Sequence, residues 1–458
     1  MRVIVCGAGQ VGFSIAAYLA RENNDVTVID NCPDKVERVN TMLDANGVLG
    51  SASSPDILLN AGANDADMII AVTSIDEVNM VACQVAHSLF NVPKKVARIR
   101  QQVFKDPVWA NLFSRAHMPI DYIVSPEDEV AKAVSFRLSV PGTTSVVPLR
   151  QEKAFLCSVL CEDNCPIVNT SLSQLISLFP DIKLKILTII RKGKAFVPKS
   201  DDQMLMGDEV FFVVEASQMR RALSVFGHEE QKARDVVIVG GGNIGHALIR
   251  EIINTQPDVR LKVIESDPVR ALALSEEFEN ILVLEADGVD REVMAEINMP
   301  QVETLIAVTN NDETNILTAM MALNEGCDRV IPLVNKTNYD TLTGSLGLLS
   351  VISPRAITVS SIMRHVRRGR VKAVHDVANG FAEVLEIGAS ESSVIVNTPI
   401  KDIKFPAGVV IAAIIRDGVL SIPDGNNQIR VDDHVIVLAV NEAVSKVEKM
   451  FSAQVALF

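Results

Sequence analysis

Aromatic side chains are scarce in this chain: one Trp, three Tyr and 16 Phe make up 4% of 458 residues. So few rings leave little surface on which bases could stack. With 57 acidic against 43 basic side chains, a formal net charge of −14, the whole would repel a phosphate backbone. Nucleic acid is therefore excluded as a partner. Long apolar runs are also lacking. Stretches such as Val409-Val410-Ile411-Ala412-Ala413-Ile414-Ile415 fall well short of the roughly 18 to 20 residues that a membrane span needs. The expectation is a chain outside the bilayer, able to dock on a membrane protein. Nothing resembling a secretory signal precedes Val3-Ile4-Val5-Cys6, and the seven cysteines are odd in number and irregular in spacing. Both point to a reducing, cytoplasmic compartment.

Catalytic signatures are absent too. The seven histidines are scattered, and no G-x-S-x-G or P-loop sequence occurs, so no nucleophile or metal centre can be assembled from motifs. Cys157, Cys161 and Cys165 form a C-x3-C-x3-C series. It follows a strand-like run and lacks a neighbouring histidine or fourth cysteine, so it is read as structural and no metal is expected.

What is present comes twice. Gly7-Ala8-Gly9-Gln10-Val11-Gly12 and Gly240-Gly241-Gly242-Asn243-Ile244-Gly245 are both G-x-G-x-x-G loops, and each stands between an apolar run and a helical pattern. One such loop is weak evidence, but two in matching contexts mark a duplication. Short continuous apolar runs alternate with helical stretches around both. In the first copy they are Val3 to Cys6, Val26 to Ile29, Val48-Leu49, Met68 to Val72, Val96 to Ile99 and Tyr122 to Val124. In the second they are Val236 to Val239, Leu261 to Ile264, Ile281 to Leu284, Leu305 to Val308, Val330 to Val334 and Val351-Ile352. The pattern predicts two doubly wound, parallel α/β sheets of Rossmann type, each covered on both faces. Ile70 to Asn79 and Ile306 to Asn315 agree at seven of ten positions, and each sheet closes on a Ser-Pro pair, Ser125-Pro126 and Ser353-Pro354.

A second piece is repeated at a shift of 225: Ile189-Ile190-Arg191-Lys192-Gly193, Pro198, Gln203 and Asp208 against Ile414-Ile415-Arg416-Asp417-Gly418, Pro423, Gln428 and Asp433. The glycines predict hairpin turns in small strand-rich modules of about 80 residues. The expected linkers are Pro141-Gly142-Thr143-Thr144, Gly227 to Asp235 and Arg367 to Arg370. The basic run Arg364 to Arg370 is read as a solvated helix end.

In the loops the glycines allow a tight turn, close approach to a pyrophosphate, and packing of helix on strand, with the helix N-terminus facing the phosphates. Asp30, 18 residues beyond Gly12, ends the second strand where an acid holds the adenosine ribose hydroxyls and repels a 2′-phosphate, favouring NAD(H) over NADP(H). Glu265 stands 20 residues after Gly245 in the same role. Thr73 and Ser74 lie where the crevice opens, positioned for ribose or phosphate, with a helix N-cap as the structural alternative. Arg98 interrupts the fifth strand and calls for an anionic partner, either a ligand phosphate or a second subunit, with snorkelling to solvent as the structural alternative. Leu333 and Asn335 replace Arg98 and Arg100 in the second copy, and Asp287 replaces Ser51, so the two pockets are expected to differ in ligand or affinity.

Taken together, the paired loops, strand-two acids, Val-Thr-x-x-Asp-Glu-x-Asn segments and following modules resemble the TrkA family of Trk-type potassium-uptake regulators, built of duplicated regulator-of-potassium-conductance (RCK, KTN) domains. The resemblance spans essentially the whole chain. It implies N-terminal Rossmann domains over 1–124 and 233–355, each followed by a C-terminal domain, over 144–228 and 373–457. It also implies a regulatory subunit that is not an enzyme, lying on the inner face of the cell membrane beneath a potassium-translocating partner and assembling as a homo-oligomeric ring, dimer or tetramer. Nucleotide contacts would fall on Gly7, Ala8, Gly9, Gln10, Val11, Gly12, Asp30, Thr73, Ser74 and Arg98, with NAD(H) as ligand. In the second copy they would fall on Gly240, Gly241, Gly242, Asn243, Ile244, Gly245 and Glu265, with NAD(H), ATP or ADP as ligand. Ser51, where related domains carry Asp, and Leu333 depart from the family pattern. The competing reading is an NAD-dependent oxidoreductase acting on a small substrate, which would need an acid or base facing the nicotinamide.

Overall fold

The computed structural model describes residues 1–114, 116–366, 371–378 and 380–451. The expected linker Arg367 to Arg370, with that part of the basic run, lies outside the described residues. The chain divides into two compact units, Met1–Val130 with Ser353–Val366, and Ala131–Ile352 with Arg367–Phe458.

The first unit is built on six parallel strands: β1 (Arg2–Cys6), β2 (Asp25–Asp30), β3 (Asn46–Leu49), β4 (Met68–Ala71), β5 (Lys94–Arg98) and β6 (Tyr122–Val124), in the order β3-β2-β1-β4-β5-β6. Successive side chains leave a strand on opposite faces, so strands buried on both sides read as unbroken apolar runs. Val3 and Val5 accordingly join Ile15 and Leu19 of the opening helix Gln10–Arg21 in one cluster, while Ile4 and Cys6 join Ile69 and Met80 in another. Strand order reverses between β1 and β4, which leaves a crevice at their carboxyl ends. The unit's last helix, Pro354–Val366, comes from far along the chain: Ile362, Met363 and Val366 complete the cluster around Ile15.

The second unit holds three sheets. β7 (Ser145–Leu149), β8 (Ala154–Leu160), β9 (Leu184–Arg191), β10 (Lys194–Phe196) and β11 (Glu209–Glu215) form an antiparallel sheet ordered β10-β9-β11-β8-β7. β12 (Asp235–Val239), β13 (Arg260–Glu265), β14 (Leu282–Glu285), β15 (Thr304–Ala307) and β16 (Arg329–Pro332) form a parallel sheet ordered β14-β13-β12-β15-β16. β17 (Val371–Val377), β18 (Ala382–Gly388), β19 (Val409–Arg416), β20 (Val419–Ser421) and β21 (His434–Val440) repeat the antiparallel order as β17-β18-β21-β19-β20.

The two antiparallel sheets share an apolar layer in which Leu156, Leu187 and Val213 meet Val384, Ile415 and Leu438. Their hairpins turn as the glycines required: Lys192 and Gly193, like Asp417 and Gly418, all have positive φ near +50° to +80°, the two-residue turn that suits strand twist. In each module a buried aspartate clamps the hairpin. Asp208 takes Arg191 Nε and Nη2 at 2.9 and 2.7 Å, and Asp433 takes Arg416 at 2.8 and 2.7 Å.

One expected element is corrected. Val351-Ile352 forms no sixth strand in the second Rossmann sheet; only a bridge between Leu333 and Ile352 remains. Leu333 N donates to Ala307 O and Val334 N to Ile352 O, so in the alternating ladder the amide of residue 332 would face the sixth strand. Pro332 has none to give, whereas the first copy carries Ala97 at that place.

Candidate functional site

Both loops are fixed the same way. Gly7 takes φ +104° and Gly240 φ +103°, a region costly for any residue with a Cβ, and each amide donates to the neighbouring strand, Gly7 N to Ile29 O at 2.7 Å and Gly240 N to Ile264 O at 2.9 Å. A Cβ on Gly12 would lie 1.8 Å from Gly7 O, and one on Gly245 would lie 1.9 Å from Gly240 O, so the helix rests directly on the turn. Gly9 and Gly242 face open space in contrast, with nothing nearer than 4.0 Å to an added Cβ. The first intrahelical bonds are Phe13 N to Gly9 O and His246 N to Gly242 O. The amides of Gln10, Val11 and Gly12, and of Asn243, Ile244 and Gly245, precede those bonds and have no intrahelical acceptor. Three N–H groups and the positive helix end thus converge at the mouth of each crevice.

The strand-two acids have a task that the spacing did not disclose. Asp30, buried at 8% exposure, accepts Ala8 N on Oδ2 at 2.7 Å and Cys32 N on Oδ1 at 2.9 Å. Glu265, at 4%, accepts Gly241 N at 2.6 Å and Asp267 N at 2.9 Å. Each carboxylate therefore ties its glycine loop to the end of the second strand, and its oxygens retain lone pairs for a ribose diol. A cation attends each acid: Lys35 lies 3.7 Å from Asp30 and Arg270 lies 3.4 Å from Glu265. Sequence reasoning did not single out either base, although Lys35 and Arg270 both stand five residues after their acids, Asp30 and Glu265.

The loops also differ in a compensated way. Ala8 has Gly241 as its counterpart, and a Cβ there would sit 2.3 Å from Leu274 Cδ1. The first copy has the smaller Val39 at the position of Leu274. Alanine over valine and glycine over leucine fill the same buried space.

At the end of the fourth strand, Thr73 caps nothing. The helix Asp76–Ser88 has Ile75 at its N-cap with no side-chain cap, and Thr73 instead gives both N–H and hydroxyl to Asn79 Oδ1, at 2.8 and 2.7 Å. Asn79, fully buried, also donates to Arg98 O at 2.9 Å, and Asp76 accepts the amides of Arg100 and Gln101. The second copy repeats the set with Thr309, Asn315, Leu333 O and Asp312. Asn79 and Asp76 were missed as crevice residues. Their signal was the identity of Asp and Asn in the two copies of the Val-Thr-x-x-Asp-Glu-x-Asn segment. Ser74 is exposed at the rim, as is Ser51, whose hydroxyl meets Ser53 at 2.9 Å.

Arg98 and Leu333 mark where the copies part. Arg98 leaves β5 with its Nε buried and without a hydrogen-bond partner. Burial lowers its pKa, and so does the neighbouring Arg100, while Glu127 and Asp76 oppose the shift. Glu127 itself is taken by Arg100 Nε at 2.9 Å. Leu333, at 1% exposure, is a core side chain. Loop, acid, fourth-strand end and Arg98 all lie at the carboxyl edge of the first sheet. In the second sheet the same set forms with a loop-side arginine, Arg270, and no counterpart of Arg98.

Among the described residues, no cluster of histidine, cysteine and carboxylate could hold a metal, and no helix is long and apolar enough to cross a membrane.

The sequence matches the TrkA-N domain family over residues 3–126 and 236–354, and the TrkA-C domain family over 384–452. It is 44% identical to the Trk system potassium uptake protein TrkA of Azorhizobium caulinodans over 458 residues, covering all of both chains, and 39% identical to that of Vibrio alginolyticus, covering 98% of each. Among solved structures, the RCK domain of GsuK superposes with a TM-score of 0.58 at 16% identity, covering 99% of this chain and 95% of that one. The GsuK channel bound to NAD gives 0.59 at 16% identity, covering 99% and 79%. At such identity these structures speak for the fold, a pair of Rossmann sheets with appended strand-rich modules. The TrkA-N matches cover both loop-bearing sheets and the homology runs the full length, so the chain belongs to the TrkA family of Trk system potassium uptake proteins.

Proposed function

We propose that this chain is the nucleotide-binding regulatory subunit of a Trk-type potassium uptake system, lying on the cytoplasmic face of the membrane and controlling a potassium-translocating membrane partner. The observation that carries this reading is the matched pair of loop-and-acid locks. In each lock, three unbonded helix-end amides face the crevice while a buried carboxylate fixes the loop. Gly7, Ala8, Gly9, Gln10, Val11 and Gly12 cradle the pyrophosphate of NAD(H), and Asp30 takes the adenosine ribose through its remaining lone pairs. Thr73 and Ser74 line the far wall, and Arg98 meets a phosphate or an acidic group of a neighbouring subunit. Gly240 through Gly245 and Glu265 hold NAD(H) or an adenine nucleotide in the second pocket. The GsuK channel, which shares this fold, has been solved bound to NAD.

Residues 1–124 and 233–355 act as the nucleotide units. Residues 144–228 and 373–457 act as the modules through which copies of the chain join into a ring. Regulation suits the site better than turnover, because the polar groups at its fourth-strand end, Thr73, Asn79 and Asp76, are engaged in holding the crevice together. A ligand moves such a switch only by binding one arrangement more tightly than the other. Calorimetric titration of the full chain with NAD, NADH, ATP and ADP, with Asp30→Ala and Glu265→Ala alongside potassium uptake in cells, tests this. The expected outcome is selective loss of the first ligand with Asp30→Ala and an altered uptake response. Normal binding and normal uptake in that variant would refute the reading.

A further inference from the structure

Wholly within the second unit lies a cavity of about 630 Å³, the size of a small-molecule site. It opens where the second Rossmann sheet lost its sixth strand, between the end of helix Pro126–Ser139, the segment around Ser350 and strands β15 and β16. The same corner in the first unit is closed by side chains. There Tyr122 stacks on His365 with ring centroids 4.1 Å apart, and Lys94 lies over the Tyr122 ring while donating to His365 O. Strand register pairs Tyr122 with Ser350, Met68 with Thr304 and Lys94 with Arg329. The shared Ser-Pro starts of the two helices pair His365 with Arg137. The second copy thus exchanges a ring for a serine, a methionine for a threonine and an imidazole for a guanidinium, all lining one cavity.

Two of those groups lack partners. Thr304, at 1% exposure, has no hydrogen bond to its hydroxyl, and the buried Nε of Arg137 has none either. Such groups are costly to leave unsatisfied. Arg137 uses Nη1 on Val351 O at 3.1 Å, which leaves the Nε–Nη2 edge, the edge that grips two oxygens of one planar group. Burial pulls the Arg137 pKa down to about 10 against the pull of Glu209, whose carboxylate is itself taken by Thr144. Of the acids in the lining, Glu162 is exposed; Glu230 holds His228 at 2.9 Å, and Glu303 accepts the amides of Arg234 and Asp235. Together with Asp328 the latter two surround Arg329. Their negative charge would disfavour a dianion about twice as strongly as a monoanion, which the Arg137 edge can still hold. Leu138, Leu323, Val330 and Leu349 supply an apolar wall.

We infer that this cavity is a third ligand site, distinct from both nucleotide crevices, that takes a small organic monocarboxylate. Its carboxylate would lie on Arg137 and Thr304 and its apolar tail against the leucines. The site does not depend on nucleotide binding at the glycine loops.

Thermal-shift titration of the full chain with a panel of monocarboxylates carrying apolar tails of up to about ten carbons, with inorganic phosphate and NADH as controls, tests the assignment. At least one monocarboxylate should give a saturable stabilisation, weakened tenfold or more by Arg137→Gln and by Ser350→Tyr, with the NADH titration unchanged in both variants. Ser350→Tyr restores the ring found in the first unit and keeps the test decisive should Arg137→Gln fail to fold. The assignment is overturned if no panel member saturates, if Ser350→Tyr binds as wild type does, or if phosphate occupies the site more tightly than every carboxylate.

Discussion

In the two glycine-loop crevices of this chain, the turn, the acid that ties the loop, and the Thr–Asn–Asp clamp at the fourth-strand end recur with bond lengths within about 0.2 Å of each other. The fifth-strand ends do not match. One ends in an arginine with an unpartnered Nε, the other in a leucine packed in the core. The shared parts are those that make a loop able to present amides at all, and they leave little freedom in residue type. The divergent part sits where a ligand's charge would be met, and there duplication left each copy free to change. Both copies keep a cation beside the loop acid, Lys35 in one and Arg270 in the other, and only the first adds Arg98 at the far wall.

The comparison breaks most severely at the helix-to-turn contact. Gly12→Ala and Gly245→Ala each drive a methyl into a carbonyl oxygen. Each should lower stability by about 1–3 kcal/mol or more and abolish nucleotide binding in its own crevice only, as read by chemical denaturation and calorimetry. Gly9→Ala and Gly242→Ala should leave denaturation midpoints almost unchanged. Next comes the compensated pair. Gly241→Ala should destabilise by roughly 1–3 kcal/mol, and adding Leu274→Val, which recreates the pairing of the first copy, should recover most of the loss. A double-mutant cycle with coupling below about 0.5 kcal/mol would show that the two positions do not share space.

Arg98→Leu converts the first fifth-strand end into the second. It should weaken NAD(H) binding there about tenfold, the scale of one charge-assisted hydrogen bond, while leaving the second crevice untouched. Equal loss at both sites would remove the claim that Arg98 distinguishes them.

The smallest effect concerns His365. Burial, with Arg364 and Lys94 adding to it and Glu129 opposing, lowers its pKa below the ordinary 6.5. The folded state thus prefers the neutral ring. This contribution is complete above pH 6.5 and is lost as the pH falls from there through the lowered value. Wild type should therefore lose stability on acidification below pH 6.5 more steeply than His365→Gln. A parallel decline in both would assign the effect to other groups.

Much of this was legible in the chain. Alternating apolar runs announced both parallel sheets, because strands buried on two faces admit few polar residues. The glycine triplets announced the loops, because positive φ at the first glycine and direct helix-on-turn contact at the third exclude a Cβ, while the middle glycine keeps the mouth of the crevice open. The repeated Arg, Gln and Asp at a shift of 225 marked the hairpin clamps of both modules. The crevice acids were singled out as ribose ligands, yet their bonds to Ala8 and Gly241 were not foreseen, since a backbone amide leaves no trace in residue type. Asn79 and Asp76 escaped notice because polar residues opening a helix look like ordinary helix starts until the fifth strand is placed beside them. The absent sixth strand turned on Pro332, whose missing amide matters only once the ladder's alternation is known.

By itself, then, the sequence determined the repeated α/β architecture, the two loops and the acids paired with them, because these rest on local backbone geometry and on periodic burial. Tertiary structure alone decided which helix completes which unit, bringing Pro354–Val366 to the first sheet. It also decided which polar groups hold one another and which are left unpartnered beside a cavity. Those outcomes depend on contacts between residues hundreds of positions apart, which no local pattern encodes.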